Sequence, residues 1–340
     1  MQLSKKFIAG GTAVLFLLVA GVVINNNKTE ILEVTNLKSK IQENELVTNE
    51  NVPRFLRRSF PSTDFTDANP DIYSVLTGGP AKDGIPALDE PTFVSIGEFK
   101  NSDDIQAIVI PDGDNVKVYP YNILTWHEIV NDTVNGVPAA ITFCPLCGSA
   151  IVYDRRTSTG ETTFGVSGGL LESNMIMFDR ATESLWQQST GEALAGEHLG
   201  ETLELIGFQL LTMGDVKKKY PNAQILSDDT GYSRNYDRNP YSGYNENDRF
   251  IFAPSSFDSR FEAKEIMAIF RINDVPVATP WLAFADGQTK SATIDGVSIT
   301  LEKADGELTV STETGEIIPF YFEMWFSFAV QHGEKGVVIE

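Results

Sequence analysis

Cys144 and Cys147 are the two cysteines of the chain, and they stand in the run Cys144-Pro145-Leu146-Cys147-Gly148, directly after the apolar stretch AAITF. In a C-P-x-C-G turn both sulfurs point to one spot, and the glycine takes the positive φ that lets backbone N–H groups donate to thiolates. The motif is half of a metal-binding knuckle. A zinc ribbon or a rubredoxin-type site needs a second such pair, so a metal bound here must complete its shell with other ligands. His127, in Trp126-His127-Glu128-Ile129-Val130-Asn131-Asp132, is the first candidate: its short helix leads through a turn at Asn135-Gly136 into the strand that delivers Cys144. It also shares a helical face with Ile123 and Val130, and so reads equally as a core histidine.

In a strand Met175 and Met177 point the same way, either filling the core or turning a thioether toward the site. His127, Cys144, Cys147 and Met177 as one ligand set favour copper, because thioether sulfur suits Cu(I); zinc is the alternative, and it would want a carboxylate or a second imidazole. The other chemistry open to the sulfurs is redox, as a dithiol that closes to a local disulfide or exchanges with a partner. The downstream GSAIVYDRR reads as a strand, which counts against a thioredoxin-like helix N-terminus and leaves a plain structural clasp open.

Other constellations carry less. A Ser-His-Asp hydrolase needs His127, His198 or His332 beside a nucleophile, and no nucleophile elbow is read in the chain. Gly79 to Pro86 has glycines and a lysine without the phosphate-cradling spacing, and reads as a rigid entry loop. His198 lies in a polar stretch and is expected at the surface. His332 follows the aromatic run Phe320 to Phe328, which reads as core. Residues 229–244 pack four tyrosines and two arginines among turn formers, so this loop is expected to fold over the main body.

The elements that would position these residues are mostly short strands between Gly, Pro, Asn and Asp turns: Ile105 to Ile110, Val116 to Tyr119, Ala139 to Phe143, Ala150 to Tyr153, Thr162 to Val166 and Met175 to Phe178. Helices are expected over Tyr121 to Val130 and Leu211 to Lys219. The fold class is therefore α+β and β-rich, with antiparallel sheets and few short helices. Residues 105–124 and 266–284 resemble each other as two related β-hairpin units.

Before the globular part, Lys5 and Lys6 precede an uncharged run from Phe7 to Ile24, about 27 Å as a helix, so residues 1–27 read as a membrane anchor or signal segment, with the anchor favoured. The lysines keep the short tail inside and place the rest outside the cytoplasmic membrane. Residues 28–67 read as a polar tether and 68–340 as the globular domain. The formal charge of −21 from 26 basic and 47 acidic residues excludes a basic nucleic-acid footprint.

The blocks GGPAKDGIPALDEPTFVS, WHEIVNDTVNGVPAAITFCPLCGSAIVYDRR, FGVSGGLLESNMIMFDRATESLWQQ and DTGYSRNYDRNPYSGY resemble the family catalogued as domain of unknown function 3179. The resemblance covers about residues 68–285 and implies an exported or anchored protein of bacteria or archaea. It also places His127, Cys144, Cys147 and Met177 inside the family's signature blocks. Gly333 stands where the family pattern would have a proline after His332, so no role is carried to His332. The leading expectation is an extracytoplasmic, membrane-tethered copper protein for metal handling or electron transfer. The alternatives are a thiol-disulfide redox protein or enzyme using Cys144 and Cys147, and an interaction module with a structural disulfide.

Overall fold

The computed structural model describes residues 50–340. The apolar run from Phe7 to Ile24 and the tether up to residue 49 lie outside the described residues, and among those described no helix is long and apolar enough to cross a membrane. Residues 50–67, expected as the end of the tether, belong to the globular unit. Helix α1 (Arg54–Ser59) brings Leu56 inward, and Val52, Leu56, Phe60 and Phe65 join Ile176, Phe178 and Leu185 in a small core of their own. Val52, Leu56 and Phe60, four residues apart, lie before, within and at the end of this helix, a spacing that the polar composition around it conceals.

The principal strands are β1 (Gln106–Asp112), β2 (Asn115–Pro120), β3 (Ile129–Val134), β4 (Val137–Cys144), β5 (Ser149–Asp154), β6 (Phe164–Leu171), β7 (Asn174–Asp179), β8 (Leu185–Gln187), β9 (Ile266–Ile272), β10 (Val275–Pro280) and β11 (Phe320–Met324). A seven-stranded sheet runs Val337–Val338, β10, β9, β11, β5, β4, β3, and a five-stranded sheet carries β6, β7 and β8 at its centre. A second five-stranded sheet holds β1 and β2, and a three-stranded meander spans residues 289–312. The class is α+β and β-rich, as the turn spacing indicates. Two pairs are parallel, β2 with Gln224–Leu226 and β10 with Val337–Val338, so the sheets are mixed.

The β3–β4 hairpin turns on Asn135-Gly136, both at positive φ (49° and 75°), the requirement that Asn-Gly meets in a tight two-residue hairpin. Strand pairing also corrects a helix boundary. Helix α2 (Tyr121–His127) stops three residues short of the expected Val130, because Ile129 onward pairs with β4, Ile129 opposite Thr142. Helix α3 is Met213–Lys219. The aromatic run is both strand and helix: β11 ends at Met324 and α4 (Trp325–His332) begins there. The two hairpin units are β1–β2 and β9–β10; they turn at Gly113 and Asn273, both at positive φ, and sit in different sheets.

Candidate functional site

The C-P-L-C-G run is the loop of the β4–β5 hairpin, with Cys144 paired opposite Ser149. Gly148 holds φ 57°, and a Cβ there would meet Ile266 and Met324 at 3.2 Å, so both backbone and space favour glycine. Both cysteines are free thiols. They sit deep in the core, Cys144 at 1% and Cys147 at 0% exposure.

Donors converge on Cys147. The Asn174 amide donates to its Sγ at 3.2 Å, and the Ser149 hydroxyl lies at 3.1 Å. Burial alone pushes the Cys147 thiol up, but the hydrogen bonds from Cys144, Ser149 and Asn174 bring it down to about 7. Cys144 goes the other way, because burial and the thiol–thiolate hydrogen bond to Cys147 both favour its protonated form. Its S–H also lies 3.6 Å from the Ser173 carbonyl. The pair is thus polarised into one thiolate and one thiol donor.

Glu128 is a buried carboxyl near enough to the turn to respond to the charge of Cys147. It follows α2 at φ 59° and ψ −30°, a strained setting for a residue with a side chain, fixed by its N–H on the Leu124 carbonyl and its carbonyl on the Phe143 N–H. Burial, reinforced by the charge of Cys147, raises its carboxyl to about 8. Glu323 of β11 is a second carboxyl in the same interior: burial pushes it well above its ordinary value, Ser327 donates to Oε2 at 2.7 Å, and Oε1 has no partner. The next residue, Met324, donates its N–H to the Cys147 carbonyl at 2.9 Å.

Of the four expected ligands, the structure brings Cys144 and Cys147 together and turns His127 elsewhere. His127 Nδ1 donates to the Pro86 carbonyl at 2.8 Å, which fixes the neutral tautomer and leaves Nε2 to accept from the Tyr236 hydroxyl at 2.7 Å. Burial lowers its affinity for a proton, so it is a satisfied core histidine. Met177 shares the core with both sulfurs but is paired across the sheet with Val166 and Trp186, three residues along β7 from Asn174. Among the described residues no group of three His, Cys, Asp or Glu side chains is placed to hold a metal ion.

His198, expected at the surface, is buried, its Nδ1 2.7 Å from Glu201 and its Nε2 3.2 Å from the Thr159 hydroxyl; it anchors the small hairpin at residues 156–161. His332 Nε2 is unpartnered, and burial lowers that ring to about 4. Gly165 to Gly169 carries the G-x-S-x-G spacing after all. Its Ser167 lies inside β6, buried, and donates to the Ile176 carbonyl at 2.5 Å, so it is no strand-to-helix elbow.

Residues 227–265 contain no helix or strand. This strap includes the tyrosine-rich loop, which folds over the main body as expected and also meets the turn: the Tyr244 hydroxyl donates to the Leu146 carbonyl at 2.9 Å, and Ser173 donates to the Phe252 carbonyl. Arg234 lies over the Trp126 ring. Lys264 cross-links the middle of the strap to its end by donating to the carbonyls of Tyr244, Asn247 and Arg249 at 2.6, 2.8 and 2.7 Å. A cleft of about 660 Å³ beside it reaches the turn at Pro145 and Gly148, between Tyr121, Phe143, Arg238 and Tyr241. Lys264→Met removes all three bonds. Hydrogen bonds to charged groups each contribute about 1.5–3 kcal/mol, so even partial loss should speed alkylation of Cys147 about tenfold at fixed pH, read by site-resolved mass spectrometry. An unchanged rate would show that the strap does not limit access.

Glu128, Ser149, Asn174, Gln188 and Glu323 are not distinguished by the sequence. All but Glu323 stand inside the blocks quoted above, as hydroxyl, amide and carboxyl types too common to stand out until the fold converges them.

The family described as Protein of unknown function (DUF3179) matches residues 82–321, well over half of the chain. No curated protein and no solved structure matches it.

Proposed function

We propose that this chain, which belongs to the DUF3179 family, is a thiol redox protein whose Cys144–Cys147 dithiol exchanges two electrons with a small disulfide admitted through the cleft. The observation that carries this reading is the convergence of Cys144, Ser149 and Asn174 on Cys147 Sγ, which makes a fully buried sulfur ionisable near neutrality. In the oxidising direction the Cys147 thiolate attacks one sulfur of the substrate disulfide and forms a mixed disulfide. The leaving thiolate takes a proton from Glu128. Cys144 then gives its proton to the Glu128 carboxylate and attacks Cys147 Sγ, closing the internal disulfide and expelling the second substrate thiolate.

The burial of both sulfurs under the strap supports a small partner over a folded one. The apolar run from Phe7 to Ile24 supports placing the protein at a membrane with its globular part outside, where a dithiol–disulfide couple is thermodynamically accessible.

Titration of the full chain with oxidised and reduced glutathione, with trapping of free thiols, tests the reading. One reversible intramolecular couple with no metal is expected. Stoichiometric copper or zinc in protein isolated without chelator, or thiols that never close to a disulfide, would overturn it.

A further inference from the structure

The direction of each hydrogen bond around Cys147 is fixed by the groups behind it. The Thr142 hydroxyl spends its one hydrogen on the Ile151 carbonyl at 2.8 Å, so toward Gln188 it accepts, and the Gln188 Nε2 that faces it at 2.8 Å is the donor end of that amide. Gln188 Oε1 therefore points the other way, to the Ser149 hydroxyl at 2.6 Å and Asn174 Nδ2 at 2.7 Å. Asn174 is fixed in turn, because its Oδ1 accepts from the Ser189 N–H at 2.9 Å. Its two amide hydrogens are left for Gln188 Oε1 and Cys147 Sγ.

Ser149 has a single hydrogen and two acceptors in reach, Gln188 Oε1 and Cys147 Sγ. When Cys147 is a thiol, the oxygen acceptors in reach of its S–H are Ser149 at 3.1 Å and the more distant Cys144 carbonyl at 3.9 Å. The thiol donates to Ser149, and Ser149 donates to Gln188. When Cys147 is a thiolate, the same hydroxyl rotates and donates to sulfur. Gln188 Oε1 keeps its bond from Asn174, so neither state leaves a buried group orphaned.

We propose that Gln188 is a positioning residue that holds Ser149 as a two-way hydroxyl switch for Cys147, giving the sulfur a matched partner in both its protonated and its reactive state. The inference rests on the reading of Cys147 as the reacting sulfur. The other titratable groups facing Cys147 are Cys144 in the turn, Glu128 after α2, Glu323 of β11 and Tyr244 of the strap. None of them has the Ser149 hydroxyl among its hydrogen-bond partners, so changing the switch leaves their own bonds in place.

The test is the pH profile of Cys147 alkylation by iodoacetamide in the full-length reduced chain, resolved by mass spectrometry. Ser149→Ala removes the switch. Gln188→Met removes the acceptor that takes the Ser149 hydrogen while Cys147 is a thiol, so Ser149 is left to donate to sulfur. Ser149→Ala should move the midpoint alkaline by about one pH unit and slow alkylation at pH 7 about fivefold, and Gln188→Met should move it acid. Ser149→Thr keeps a hydroxyl and should restore the wild-type profile. A merely structural role would alter thermal stability without displacing the midpoint. A wild-type midpoint near 7 that Ser149→Ala leaves in place overturns the switch. A wild-type chain with no midpoint below 9 overturns instead the reading of Cys147 on which it rests. If Gln188→Met fails to fold, the Ser149 pair decides alone.

Discussion

Cys147→Ser should cut the thiol reactivity of the chain at pH 7 by at least about fifty-fold, whereas Cys144→Ser should leave one reactive thiol and abolish only closure of the disulfide. With Cys147 near 7, about half of it is thiolate at that pH. Cys144 is held well above 9 mainly by burial, which persists when Cys147 is replaced, so a hundredth or less of it ionises. Stopped-flow reaction with a small disulfide reagent, following the released thiol, separates the two variants. Equal rates in both would mean that the sulfurs are not polarised and would remove the basis for assigning the attack to Cys147.

Glu128→Gln should stabilise the protein in mild alkali while slowing its exchange reaction. Glu128 keeps its proton to about pH 8 in the folded chain and loses it near 4.5 when unfolded. The stabilising contribution of the neutral acid is fully present below about 4.5 and is lost as pH rises toward 8, because the unfolded chain alone gains from releasing the proton. At 1.36 kcal/mol per pH unit the loss amounts to about 4 kcal/mol. Glutamine stays neutral throughout. Denaturant unfolding at pH 4.5 and at pH 8 should therefore show little difference between variant and parent at the lower pH, and the variant more stable by up to about 4 kcal/mol at the higher. Parallel stabilities would show that the carboxyl is solvated in the folded state. Under the proposed exchange reaction the same substitution would remove the acid assigned to protonate the leaving thiolate, so a more stable protein that turns over more slowly is the expected signature of a strained functional residue.

The cysteines were legible because two sulfurs in one tight turn have few rivals in a chain with no others. The neighbouring acid was not, because His127 and Glu128 are adjacent and the imidazole is the more conspicuous ligand. Which of them faces the turn depends on where α2 ends, and that is decided by Ile129 pairing with Thr142 in β4, a contact that helical periodicity does not contain. The hairpins were readable from alternation and turn residues, Asn135-Gly136 above all. Residues 50–67 were not, since three apolar side chains spaced by four count for little amid polar neighbours until strands β7 and β8 supply the surface they cover. Asn174 and Gln188 illustrate the same limit: an amide has no distinctive chemistry until its donor and acceptor ends are assigned by the groups around it.

Both sulfurs lie buried beneath the strap, so where the cleft does not admit a reagent, reaction at Cys147 is expected to wait for the strap to rise. At low reagent concentration the observed rate is the intrinsic rate scaled by the fraction of molecules with the strap raised. At high concentration it levels off at the rate of raising, and from there every reagent that fits reacts at the same speed whatever its own chemistry. Reagents distinguished by reactivity when dilute would become indistinguishable when concentrated, and the height of that plateau would report the lifetime of the closed strap directly.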